Sequence, residues 1–182
     1  MKAILLICIA GCAVLVSAFS EAPAAVTGGG TISGKVTFDG EFKAPVPLII
    51  GAKESEGCCL PGIEMDSQDR TLIVAEDGAL CNVVVTLTAD GFERVVPTEP
   101  VVLDQKKCRY EPHVVVVPMG AKISYRNSDG VNHNVHTYSK KNQAVNKSVA
   151  SNTSDEQLLE KDEAFEVKCD IHPWMLSNVY VT

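Results

Sequence analysis

The segment Cys169-Asp170-Ile171-His172-Pro173-Trp174-Met175 sets a thiol, an imidazole and a thioether at C-x2-H-x2-M spacing on one short stretch. Upstream, Asn132-His133-Asn134-Val135-His136 offers two further imidazoles. Two imidazoles and a thiolate in a trigonal plane, with a long weak thioether above them, make the blue-copper donor set. The sulfur donors suit Cu(I) and the imidazoles suit Cu(II). A set between those preferences lets the ion change oxidation state with little rearrangement. Each residue alone has a plainer explanation, because a single Cys, Met or His near a strand end is usually core or a satisfied surface group. A zinc site rarely accepts Met, and no second Cys or carboxylate stands at matching spacing. Haem attachment needs C-x-x-C-H, which the chain lacks. The three donor types together, between two predicted strands, are far more specific than any one of them.

His133 and His136 lie three residues apart, and on an extended strand positions i and i+3 face opposite sides. They cannot easily bind the same ion, and a role for His136 would need a local bend. His113 is a further candidate ligand, though a strand-edge histidine is its simpler reading.

These groups must be held by strands. Val114–Val117 and Val83–Val85 are β-branched runs of the kind that pack on a pleated sheet. Strands are predicted at 30–39, 71–75, 80–88, 113–117, 122–126, 131–138, 164–168 and 178–182. Turns are predicted at Asp39-Gly40, Asp77-Gly78, Pro118-Met119-Gly120 and Asp129-Gly130. Residues 41–70 read as long loops with one short strand near Leu48. The polar stretch 139–162 reads as a surface excursion, with one short helix over 155–161 started by Ser154 or Asp155. Many short strands separated by turns predict a sandwich or barrel, and residues 31–182 read as a single domain.

The chain has 182 residues, enough for one sizeable core, and only 5% of them are aromatic, so that core must rest on Val, Ile and Leu. Its formal charge of −7 and its lack of a long basic cluster argue against nucleic acid as a partner and favour a basic one. Residues 1–20 read as an export signal, with Lys2, an apolar run to Val16 and small residues around Ser20. The run is too short for a membrane span, which needs about 20 apolar residues. Ile9-Ala10-Gly11-Cys12 also resembles a lipobox, so a lipid anchor at Cys12 is the alternative. Residues 21–30 read as a flexible leader. The expected location is the periplasm or the outside of the cell, or the membrane surface for the lipoprotein.

Of seven cysteines, Cys8 and Cys12 fall in the signal, which leaves Cys58, Cys59, Cys81, Cys108 and Cys169. In an oxidising compartment thiols pair, and an odd number leaves one over; metal ligation gives Cys169 a reason to stay free. Cys58 and Cys59 are adjacent and need distant partners. Cys58–Cys108 with Cys59–Cys81 is the favoured arrangement, although the sequence leaves connectivity open. Metal binding or delivery by Cys58-Cys59 is a minor alternative.

The second half of the chain resembles the plastocyanin-like cupredoxins, and the amicyanin group in particular. The matching pieces are Tyr110-Glu111-Pro112 before a Val-rich strand, Gly120, Ile123 to Asn127, His133-Asn134-Val135-His136, and Cys169-x2-His172-Pro173-x-Met175. This resemblance covers roughly residues 108–182. A wider set of exported methylamine-utilisation-like proteins resembles the chain from about residue 30 onward, through Cys108-Arg109-Tyr110-Glu111-Pro112-His113-Val114. The resemblance implies an all-β, Greek-key cupredoxin sandwich, with an N-terminal extension adding strands. It implies one type 1 copper ion held by His133, Cys169, His172 and an axial Met175. Asn134 matches the residue that ties the His loop to the Cys loop, with Asp170 as its expected partner here. The implied function is one-electron transfer without catalysis, to a redox partner such as a basic cytochrome or a dehydrogenase. Copper binding or delivery without electron transfer is the alternative.

Overall fold

The computed structural model describes residues 2–6, 31–43, 45, 47–48, 58, 67–91 and 94–182. Its strands are β1 (Lys2–Leu6), β2 (Thr86–Asp90), β3 (Val101–Lys106), β4 (Arg109–Glu111), β5 (Val114–Val117), β6 (Lys122–Asn127), β7 (His133–Thr137), β8 (Asn146–Val149), β9 (Thr153–Leu158), β10 (Glu163–Lys168) and β11 (Leu176–Val181). Nine of them build two sheets, ordered β5-β11-β10-β7-β8 and β4-β3-β6-β9. Within each sheet one neighbouring pair is parallel, β5 with β11 and β3 with β6, and the others are antiparallel.

Burial alternates along the strands of the first sheet, as a half-buried pleated surface requires. In β11 every second residue, from Ser177 through Val179 to Val181, is buried. In β5 it is Val115 and Val117, and in β10 Phe165 and Val167. Facing them from the second sheet are Leu103, Ile123, Tyr125 and Tyr110, all within one continuous core. The molecule is therefore a two-sheet β-sandwich with an aliphatic core, as its composition demands. Each such side chain, fully buried, contributes about 1.5–3 kcal/mol.

Elsewhere the structure departs from the sequence reading. The polar excursion holds no helix. Residues 153–158 form β9, which pairs with β6 from Asn127↔Thr153 to Lys122↔Leu158. Helix-compatible local propensity yields there to the open edge of β6, and the Tyr125 hydroxyl donates to Gln157 Oε1 across the pair at 2.9 Å. β8, too polar to be foreseen, likewise completes the edge beside β7. β3, which is absent from the predicted strands, is the strand to which both β4 and β6 pair. Among the described residues, the strands expected at 30–39 and 71–75 and the first part of that expected at 80–88 reduce to isolated bridges, Thr37↔Ala79 and Val74↔Leu80. Gly34 and the exposed side chains around it offer little apolar face for a sheet to bury. β2, within the expected strand 80–88, pairs with β1, five residues of the segment read as an export signal. Residues 7–30, with the rest of that signal, Cys12 and the leader, lie outside the described residues.

Cys58 and Cys108 form a disulfide, both ends fully buried. Cys59, expected to pair with Cys81, lies outside the described residues. Two further contacts fasten the N-terminal extension to β4, an ion pair of Arg70 with Glu111 and a hydrogen bond from Arg109 to the Gln68 carbonyl.

A fragment spanning 105–182 is predicted not to fold. It removes Leu103, whose burial is worth about 1.5–3 kcal/mol, most of β3 between its two partner strands, and a disulfide worth about 2–4 kcal/mol. Against a typical domain stability of about 5–15 kcal/mol those losses are decisive. Circular dichroism and thermal melting of the fragment check this; a cooperative melt would show that β3 is dispensable.

Glu163 organises the 139–142 turn. Its carboxylate accepts from Ser139 Oγ and from the backbone N–H groups of Lys140, Lys141 and Asn142. The small burial it suffers would raise its carboxyl; these hydrogen bonds outweigh that and pull it from 4.5 down to about 2. The folded value lies below the unfolded one, so its contribution is full above pH 4.5 and is lost as pH falls towards 2. Denaturation midpoints should fall less steeply over that window in Glu163→Gln than in the wild type, and identical pH profiles would contradict the assignment.

Candidate metal centre

Three elements bring the donors together. β7 begins at His133, β10 ends one residue before Cys169, and the β10–β11 connection carries His172 and Met175. β7 and β10 pair antiparallel, with Lys168 opposite His136, which sets the start of β7 beside the 169–175 loop. The loop closes on itself: the Cys169 N–H donates to the Met175 carbonyl at 3.3 Å, and the Met175 N–H to the His172 carbonyl at 2.9 Å. Pro173, without an N–H, adds stiffness and no further donor.

The side chains converge. His133 Nδ1 lies 2.9 Å from His172 Nδ1, and Cys169 Sγ lies 3.6 Å from the same His172 nitrogen. The ligand atoms of His133, Cys169 and His172 are all within 4.8 Å of one another, and all three residues are buried. Met175 is fully buried on the same loop. His136 stands outside this group, half-exposed, with Nδ1 3.0 Å from Asp170 Oδ1 and its ring stacked on Tyr138. His113 is also apart, with Nδ1 3.2 Å from the Leu176 carbonyl oxygen.

Supporting bonds fix the geometry. The Asn134 N–H donates to Cys169 Sγ at 3.3 Å, and Asn134 Oδ1 accepts from the Asp170 N–H at 3.1 Å. The tie between the two loops thus uses the Asp170 backbone, while its carboxylate receives Asn146 and faces His136. Beneath them the buried Tyr110 hydroxyl donates to the Asn134 carbonyl at 2.6 Å.

Asp129, read from the sequence only as part of a turn, is buried with Oδ2 2.9 Å from His133 Nε2. It also accepts the backbone N–H groups of Lys107 and Cys108, at 2.7 and 2.8 Å. An acidic residue four positions before His133 was the available signal, but only the fold shows that the intervening chain turns back on itself.

The electrostatics follow from these contacts. Burial would raise the Asp129 carboxyl, but hydrogen bonds from His133, Cys108 and Lys107 hold it below its ordinary value. Burial would lower His133, but Asp129 and Cys169 raise it. Burial would raise the Cys169 thiol, yet hydrogen bonds with His133, His172 and the Asn134 N–H bring it down to about 6. A buried sulfur that is thiolate at neutral pH, facing two imidazole nitrogens, is a donor set for a borderline-soft cation, and it fits copper.

Comparison with known proteins agrees. Residues 98–181 match the model of the copper binding proteins of the plastocyanin/azurin family. No curated protein sequence matches the chain. Among solved structures, a copper-containing nitrite reductase from Thermus scotoductus SA-01 is 18% identical, over 52% of this chain and 24% of that one, with a TM-score of 0.44. The chain therefore spans about a quarter of that enzyme's length. A Cu(I) amicyanin variant is 21% identical over 48% of this chain and 86% of its own, with a TM-score of 0.43. A purple cupredoxin from Nitrosopumilus maritimus is 23% identical over 41% and 82%, with a TM-score of 0.36. Residues 98–181, a two-sheet sandwich with buried His and Cys donors, match the plastocyanin/azurin copper-binding family, and copper is the cofactor they take.

Proposed function

We propose that the protein is an exported type 1 copper protein that carries single electrons, with His133, Cys169, His172 and axial Met175 as ligands. The observation that carries this reading is the convergence of three buried donors with a buried thioether on the same closed loop. Copper, when bound, supplies a one-electron couple. The protein's part is to keep the donors still. Asp129 accepts a hydrogen bond from His133 Nε2–H, which leaves Nδ1 free as the donor. The Asn134 N–H steadies the thiolate, and the loop's two backbone bonds hold His172 and Met175 in place.

With Met175 as a ligand, its thioether would fill the position that a catalytic site leaves open for substrate, which favours a carrier over an enzyme. Complete burial of the donors disfavours hand-off of the metal, which needs an accessible ligand. Among the described residues no helix is long and apolar enough to cross a membrane. An exported location remains part of this proposal, as does a basic redox protein as partner, favoured by the net charge of −7.

The copper-loaded, oxidised protein should be intensely blue through the Cys169 thiolate, and Cys169→Ser should abolish the colour while the Cys58–Cys108 disulfide persists. A visible spectrum decides, and a colourless copper-loaded wild type would sink the ligand set. Met175→Leu should keep colour and copper but raise the reduction potential, because a weak axial thioether stabilises Cu(II). Voltammetry that finds the potential unchanged or lower would remove Met175 from the set.

A further inference from the structure

Cys108 touches the supports of both histidines, and neither the family match nor the ligand motif accounts for that. Lys107 and Cys108 are consecutive non-glycine residues in the left-handed region, with φ of 55° and 53°. Such residues are uncommon. Here the conformation aims two successive N–H groups at one carboxylate, a backbone anion nest. That carboxylate is Asp129, bound through Lys107 N to Oδ1 and Cys108 N to Oδ2, with Oδ2 also 2.9 Å from His133 Nε2. On its other side, the Cys108 carbonyl accepts the Trp174 indole N–H at 2.9 Å. The Trp174 ring packs against His172 at 5.2 Å between centroids, two residues along the same loop. The Cys108 sulfur is bonded to Cys58, fifty residues earlier in the chain.

We propose that Cys108, locked by its disulfide to Cys58, is a positioning residue that braces both histidine ligands at once, His133 through Asp129 and His172 through Trp174. The proposal rests on the ligand reading given above. Its physical content is a difference in freedom. With the disulfide formed, the 107–108 turn cannot relax, so Asp129 stays against Nε2 and the indole stays over His172. Without it, the two left-handed residues lose the crosslink that holds them, and Asp129 is freer to leave the imidazole. A carboxylate partner makes an imidazole a more basic ligand and so favours Cu(II). Loosening that partner shifts the balance towards Cu(I).

The test compares copper-loaded wild type with Cys58→Ala/Cys108→Ala and with Trp174→Phe, by voltammetry, visible absorption and electron paramagnetic resonance. The double variant is expected to stay blue while its Cu(II)/Cu(I) preference moves at least tenfold towards Cu(I), about 59 mV upward for one electron. Trp174→Phe keeps the disulfide and an aromatic ring but loses the indole N–H; it is expected to alter the copper hyperfine splitting and the absorption maximum. Wild-type potential and spectra in both folded variants would reduce the disulfide to a staple and overturn the proposal. If the double variant does not fold, Asp129→Asn takes its place. A wild-type potential in Asp129→Asn together with wild-type spectra in Trp174→Phe overturns the proposal equally. Failure of the ligand reading is separate, because it would show as a wild type that is not blue.

Discussion

A thiol at the depth of Cys169 would keep its proton if burial alone acted, since the interior disfavours the charged form. Here two imidazoles and a backbone N–H reverse the balance and bring it to about 6. This one group explains much of what surrounds it. A buried thiolate needs donors or a cation, so His133, His172 and the Asn134 N–H must be kept facing it. Those groups need supports of their own, which Asp129, the closed 169–175 loop and the Tyr110 hydroxyl provide. The chain of dependence runs from the sulfur outward, and it joins hydrogen bonds within the loops to others between segments far apart in sequence.

Such a chain works only on a scaffold that does not yield. With so few aromatic residues, rigidity comes from interlocked aliphatic side chains and from pairing on both flanks of the strands that matter. β10, which leads into Cys169, lies between β11 and β7; β7, which starts with His133, lies between β10 and β8. Neither is an edge strand. The polar strands β8 and β9 take one edge of each sheet, and their charged and amide side chains are tolerable there because those faces meet water.

The same contrast explains what the sequence made legible. The donors Cys169, His172 and Met175 sit within one stretch, where spacing speaks directly, and His133 stands out by its neighbours Asn132 and Asn134. The strands β5, β6, β7, β10 and β11 carry apolar alternation or valine runs, so their places were foreseeable. β9 was not, since Thr153–Leu158 holds no apolar periodicity and becomes a strand only because β6 offers an edge. The Asp129 support was hidden for a different reason. It depends on left-handed conformations at Lys107 and Cys108, where no glycine or asparagine announces one, and on a contact across about twenty residues of chain.

The N-terminal extension gains meaning from where it is fastened. Its disulfide from Cys58, its Arg70 ion pair and its Gln68 carbonyl all reach the short stretch Cys108–Glu111. That stretch carries the N–H that holds Asp129, the carbonyl that holds Trp174, and the Tyr110 hydroxyl under Asn134. The extension adds no strand to either sheet of the sandwich among the described residues. Its disulfide, ion pair and Gln68 hydrogen bond fall instead on the segment whose backbone and hydroxyl groups hold Asp129, Trp174 and Asn134. An element attached elsewhere on the sandwich would add stability without touching the supports of the His133, Cys169 and His172 cluster; attached at β4, it is tied to the residues that hold Asp129, Trp174 and Asn134.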